Sequence, residues 1–245
     1  MKQLIDQCVN PLPANRPSFA QIIKSKTLDD VIIEGVITDK NQLGRDMWKT
    51  HFFEKVHVPW SEFLAAFFKT IGVPLPRDSE DVAVLCLQTL LTRNEGPDKQ
   101  RAFLEDFGKM LEWFGPLEKG SGILSRIEAQ LRMKGFFGDI ETADAEKILN
   151  GKKKGSFLIR FSTRDPGCYA ITSLTKQETL KHYRISHKAG GPYVLSTAES
   201  PSLEALIKNH KKDLYLKTPL TGSKYESMFV AHDRKLATMG YSMDG

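Results

Sequence analysis

The chain is expected to be an α+β protein, with an all-helical segment ahead of a small antiparallel sheet flanked by two helices. Three features of its 245 residues lead there. Four stretches of the first half repeat apolar side chains at i, i+3, i+4 and i+7, as a helix with one buried face does. Three stretches of the second half are short, alternating and rich in branched or aromatic residues, as strands are. Glycine, proline and charged runs separate the two kinds, and a chain of this length can hold two domains with modest cores.

The helical stretches cover residues 45–53, 60–71, 81–91 and 99–114, with Phe63, Phe67 and Phe68, or Leu104, Phe107 and Leu111, setting the period. Ser61 with Glu62 and Asp98 with Gln100 stand near the expected starts. Gly72-Val73-Pro74 and Gly115-Pro116 end the helices before them. Together they predict a helical linker domain over residues 38–116, and residues 123–133 (ILSRIEAQLRM) predict a connecting helix within 117–133. The aromatic stripes Trp48, Phe52, Phe53 and Trp60, Phe63, Phe67 read as core.

The sheet centres on residues 155–162 (GSFLIRFS). Period-2 geometry puts Phe157, Ile159 and Phe161 on one face and Leu158, Arg160 and Ser162 on the other. A guanidinium in a buried strand is costly unless it meets a counter-charge, so either a carboxylate of the protein or an anion from outside must satisfy Arg160. No acidic residue lies within the strand. The turn that follows, residues 163–167, brings the Thr163 hydroxyl, the Arg164 guanidinium and backbone N–H groups beside it, donors suited to a phosphate dianion.

Residues 168–174 (CYAITSL) and 180–186 (LKHYRIS) read as two further strands, and alternation places His182 and Arg184 on one face of the second. Residues 144–149 and 203–210 read as helices on either side. FLIRFS after a helix, HYRI in the third strand and SLEALIKNH in the closing helix resemble the Src-homology-2 (SH2) domain, over residues 134–220. The resemblance implies a pocket for phosphotyrosine. Arg160 matches the family's phosphate-gripping arginine, whose planar fork a lysine cannot copy. Ser162 and Thr163 match hydroxyls that bond the same phosphate. His182 matches the third-strand histidine that builds the pocket wall or ties the sheet together. Arg184 matches the basic position against the phosphotyrosine ring, or is a solvated strand charge.

Two positions depart from the family pattern. Thr142 stands in the first helix where many members carry a basic residue, which removes a charge-assisted contact of about 1.5 to 3 kcal/mol. Affinity is then lower, or Arg164 compensates. Phe136-Phe137-Gly138 replaces an opening tryptophan with other aromatics. The helical linker's spacing superficially resembles the paired helices of calcium-binding modules that precede SH2 domains in some signalling proteins. No stretch fits alternating Asp/Asn ligands closed by Gly and Glu, so no metal is expected.

Residues 134–220 hold fifteen Lys/Arg and nine Asp/Glu, a net +6, when the whole chain carries +5. The excess suits an anionic ligand, and Lys152-Lys153-Lys154 would steer acidic peptides toward it. Nucleic acid is the competing partner for a basic surface. Against it, the sequence has no RNA-recognition aromatic pair, zinc-finger spacing or helix-turn-helix signal.

The first residues differ in kind. CVNPLPANRPSF from Cys8, followed by AQII, resembles the last helices of a protein kinase domain of the tyrosine-kinase-like group, so residues 1–26 are expected to be a remnant of the end of a kinase C-lobe. The resemblance implies that Arg16 pairs with a glutamate of the activation segment, which this chain lacks. It also lacks a Gly-rich phosphate loop, a strand lysine in a Val-Ala-Ile-Lys setting and a His-Arg-Asp loop. Val82-Ala83-Val84-Leu85 has no lysine, and Asp106-Phe107-Gly108 falls inside a helical pattern. No catalytic residue, cofactor or enzymatic activity is therefore expected of the chain as given. A kinase followed by an SH2 domain looks like the Shk family of amoebozoan kinases, which implies the C-terminal regulatory part of an ATP-binding kinase. The alternative is a fragment of a STAT-type transcription factor, where a helical linker also precedes an SH2 domain, with Tyr225 or Tyr241 as its phosphotyrosine. Residues 1–26 are expected to be loosely held, and residues 221–245 to form a flexible tail.

Cys8, Cys86 and Cys168 are too few and too scattered for a disulfide framework. The sequence shows neither a run of about eighteen apolar residues nor a signal-peptide core. The expectation is a cytoplasmic, phosphotyrosine-binding signalling module. Its partner is a tyrosine-phosphorylated protein or peptide, and it reaches membranes only through such partners.

Overall fold

The computed structural model describes residues 7–18, 21, 27–93, 100–165, 167–187 and 191–238. Helices α1 (Thr27–Val36), α2 (Gln42–Phe52), α3 (Trp60–Ile71), α4 (Val82–Leu91), α5 (Leu104–Phe114) and α6 (Gly122–Leu131) turn their apolar stripes onto one core. Asp81 starts α4, its Oδ1 accepting the Ala83 N–H at 2.9 Å. Gly72 ends α3 at φ 72°, in the left-handed region that glycine enters without strain, and bonds back to Phe68 and Lys69. Trp48 stacks on Phe107 at 5.7 Å, and Phe63 meets Phe107 edge-on at 5.4 Å, so the aromatic stripes are core.

Residues 99–114 differ from expectation in their first turn. Arg101–Phe103 (β2) pairs antiparallel with His57–Pro59 (β1), with Val58 opposite Ala102. The Trp60 N–H bonds the Gln100 carbonyl at 3.0 Å and the Leu104 N–H bonds Val56 at 2.9 Å. Tertiary pairing thus satisfies backbone groups that a helix would have satisfied locally, and it overrides the helical pattern. The result is two helix–strand–helix units joined through their strands. The unit also begins before residue 38, because Ile33 and Ile37, four apart, are both buried against α2 and α5. Among residues 7–18, Val9 and Leu12 are exposed around a single 3-10 turn at Pro13–Asn15. The rest of the kinase-like stretch, apart from Gln21, lies outside the described residues.

The second half builds β3 (Phe136–Gly138), α7 (Thr142–Leu149), β4 (Ser156–Phe161), β5 (Tyr169–Leu174), β6 (Leu180–His187), β7 (Tyr193–Leu195), β8 (Ala198–Ser200), α8 (Leu203–His210) and β9 (Thr218–Pro219). The strand order is β3-β4-β5-β6-β7-β8, with β9 also on β4. β3 and β9 run parallel to β4, and the remaining pairs are antiparallel. Leu158 packs toward α7 with Phe137, Ala145 and Leu149. Phe157, Ile159 and Phe161 join the large core that also holds Leu203 and Leu206 of α8, so the predicted alternation of β4 holds. The register puts Ala170 opposite both Arg160 and Arg184, and Thr172 opposite His182.

That large core runs without a break from the helical unit into the sheet. A last helix, α9 (Lys224–Thr238), packs along it, which corrects the expected flexible tail over those residues, 239–245 lying outside the described residues. Tyr225, Met228 and Phe229, spaced i, i+3 and i+4, form a short apolar stripe hidden in a polar sequence. Tyr225 is only 1% exposed and lies against Gly138, where a Cβ would fall 2.3 Å from its hydroxyl. Arg132 lies 4.1 Å over the Phe229 ring, and Thr89 meets the Met228 sulfur at 3.2 Å. Tyr241 lies outside the described residues. Replacing Tyr225→Ala is expected to lower unfolding stability by about 3 to 5 kcal/mol in urea titration, whereas a tail residue would change it by next to nothing.

Candidate functional site

Arg160 is placed by the pleat of β4 on the face toward α7, with its side chain 4% exposed. Its Nη2 donates to Thr142 Oγ1 at 2.7 Å and its Nη1 to the Phe161 carbonyl at 3.1 Å. Its Nε is buried and finds no acceptor among the described residues. A guanidinium has five N–H donors, so these two contacts leave most of the fork unspent. Burial draws its pKa below the usual arginine value, while the charges of Glu141 and Glu146 oppose that shift. Neither carboxylate bonds it. An arginine stays protonated regardless, so the site presents a fixed, under-bonded cation.

A cleft of about 260 Å³ opens in front of that cation, lined by Thr142, Arg160, Ser162, Thr163, Arg164, Asp165, Ala170, His182, Tyr183 and Arg184. All six residues singled out from sequence therefore meet in one place. Ala170 leaves room beside the arginine that a larger residue would fill. His182 spans the cleft wall, its Nδ1 3.1 Å from Thr172 Oγ1 and its Nε2 3.1 Å from Glu146 Oε1, so the same ring both ties the sheet and bounds the pocket.

Two partners were not anticipated. Thr142, noted only as a missing cation, is the hydroxyl that orients the Arg160 fork. Asp165 pairs with Arg184 at 3.0 Å, so the arginine expected over the phosphotyrosine ring already has a counter-ion from the loop. The Asp165 N–H also donates to Ser162 Oγ at 3.2 Å, which closes the loop on itself. A serine at the start of a turn was the available signal for that closure, since its hydroxyl accepts a backbone N–H further along the turn; the ion pair itself had none.

Comparison with known proteins bears on the domain that carries this cleft. The model of the SH2 domain matches residues 136–210. The chain is thus an SH2-domain protein, its sheet and two flanking helices forming a non-catalytic module of a class that binds phosphotyrosine peptides. More particularly, it is 33% identical over 233 residues to the dual specificity protein kinase shkB of Dictyostelium discoideum, covering 94% of this chain and 35% of that protein. It is 32% identical over 247 residues to shkA of the same organism, covering 93% and 46%. The chain spans between a third and a half of the length of these relatives. A solved SH2 domain, from the CRK/CRKL homolog of Monosiga brevicollis, is 25% identical and covers 37% of this chain and 86% of its own, with a TM-score of 0.32.

Thr142→Val removes the hydroxyl that holds Nη2 and leaves a buried donor without an acceptor. The expected loss is about 1 to 3 kcal/mol of stability in denaturant, with part of it recovered when phosphotyrosine is added.

Proposed function

We propose that the cleft binds phosphotyrosine in tyrosine-phosphorylated proteins and thereby recruits them to this chain. The observation that carries this reading is the under-bonded guanidinium of Arg160, buried at the base of an open cleft and bonded by no carboxylate among the described residues. Its free N–H groups match two oxygens of a phosphate, and Ser162, Thr163 and Arg164 stand around it as further donors. An unphosphorylated tyrosine would leave the cation as under-bonded as before, which is the basis for discrimination. The Asp165–Arg184 pair refines the picture. An arriving dianion competes with Asp165 for Arg184, so the loop must give up one ion pair as the phosphate enters.

A second reading is favoured by two observations, the kinase-like residues from Cys8 to Ser18 and the kinase names of the relatives. On it, the module serves a dual specificity or tyrosine-kinase-like enzyme in the cytoplasm and brings phosphorylated substrates to it. Reading the gene upstream of Met1 for a His-Arg-Asp loop decides the matter. A STAT-like role is disfavoured for Tyr225, whose hydroxyl is buried and whose pKa burial pushes well up.

Arg160→Ala is expected to abolish retention on a phosphotyrosine column while the far-UV spectrum stays native. Undiminished retention, or equal retention on phosphoserine, would sink the assignment. Asp165→Asn should tighten binding by a few fold, because it removes both the repulsion and the competing partner of Arg184. Since the second phosphate pKa is about 6, affinity measured by calorimetry should fall as pH drops below that value and the ligand becomes a monoanion.

A further inference from the structure

We infer that Trp113, in the last turn of α5, is a positioning residue for the loop that surrounds the phosphate, so that the helical unit is a working part of the phosphotyrosine site. This rests on the phosphotyrosine reading above. The loop, residues 162–167, supplies Ser162, Thr163, Arg164 and Asp165 to the cleft. Its neck is closed by the Ser162 N–H, which donates to the Cys168 carbonyl at 2.8 Å, and the Cys168 N–H donates back into the loop, to the Asp165 carbonyl at 3.1 Å.

Trp113 holds that neck from behind. Its indole lies flat on Phe161, with centroids 3.8 Å apart and planes inclined by 18°. Phe161 is the residue immediately before the loop and immediately after Arg160. The indole Nε1 donates to the Cys168 carbonyl at 3.3 Å, the same oxygen that accepts from Ser162. The Trp113 carbonyl in turn accepts the hydroxyl of Tyr169 at 3.1 Å. Entry and exit of the loop are therefore fastened to one residue of another structural unit.

The neighbouring residue adds a steric stop. Gly167 has φ +77°, and a Cβ there would sit 3.0 Å from the Glu112 carbonyl oxygen, so the loop rests directly on the backbone of α5. Glu112 is held in turn by the Thr38 hydroxyl, which donates to its Oε1 at 2.7 Å. A shift of α5 by a fraction of an ångström would move Phe161, Gly167 and Cys168 together, and with them the donors around Arg160. Close-packed contacts of this kind pass on displacement rather than absorb it.

The test uses the full chain and phenyl phosphate, the smallest ligand with the phosphotyrosine head, titrated alongside a phosphotyrosine peptide. Trp113→Phe keeps ring stacking and loses the indole donor, and is expected to weaken both ligands about three- to tenfold. Trp113→Leu loses both contacts and should weaken them further, with the amide resonances of Thr163 and Arg164 displaced in the ligand-free protein. Ile71→Val, a core change in α3 away from the loop, serves as the control. It should lower stability and leave affinity and loop resonances as in the wild type. Wild-type affinity with unmoved loop resonances in Trp113→Leu would overturn the inference. So would an equal loss of affinity in Ile71→Val, which would mean that stability alone was being read. Failure of the wild-type chain to bind either ligand is a separate result, which removes the phosphotyrosine reading and this inference with it.

Discussion

A buried guanidinium that no carboxylate among the described residues bonds is the constraint around which this molecule is arranged. Arg160 sits in the middle of a strand whose neighbours are apolar, and its partners are one hydroxyl and one carbonyl. Such a group is tolerated only where the surrounding structure leaves it no other rotamer and where distant charges ease its desolvation. Glu141, just before α7, and Glu146 within it supply that easing without bonding the fork. Thr142 holds the fork through its hydroxyl, beside a cleft that Arg164 and Arg184 also line. What looked in the sequence like a lost contact is, in the fold, the element that keeps the arginine aimed.

The second organising fact is that the boundary between the helical unit and the sheet is covalent bookkeeping rather than a physical gap. Trp113 and Phe114 pack onto Phe161, Tyr225 packs onto Phe136, and one apolar core continues from Trp48 to Leu206. α9 closes the seam from the far side. Cutting the chain at residue 134 would expose Phe136, Phe161 and Tyr169 at once, a contiguous aromatic surface of the kind that aggregates. Sheet and helices therefore behave as one cooperative body, and rigidity in one is available to the other.

Much of this was legible from the residues, for reasons that differ by element. The alternation of β4 could be read because both of its faces are buried and only one carries a charge, so the faces of Arg160 and Ser162 followed from period alone. Trp60–Ile71 was legible because its aromatic repeat and closing glycine agree. The first turn of 99–114 was not, since the pairing of Ala102 with Val58 depends on a segment some forty residues away, and a local pattern carries no record of it. α9 escaped notice because its stripe of Tyr225, Met228 and Phe229 is short and dispersed among lysines and serines. At the site, the identity of every donor could be named, but the Asp165–Arg184 pair could not. It depends on how a loop of five or six residues turns back over a strand, and turn geometry is weakly encoded.

That pair bears on which anions the cleft would accept. With Asp165 occupying Arg184, that side of the cleft presents an ion pair rather than a bare cation, while Arg164 stands exposed at its rim. A singly charged carboxylate would have little to offer Arg184 that Asp165 does not already give it. A doubly charged phosphate would compete with the aspartate on better terms. An intramolecular counter-ion would thus bias the cleft against monoanions, by charge alone and before any contact with the rest of a ligand.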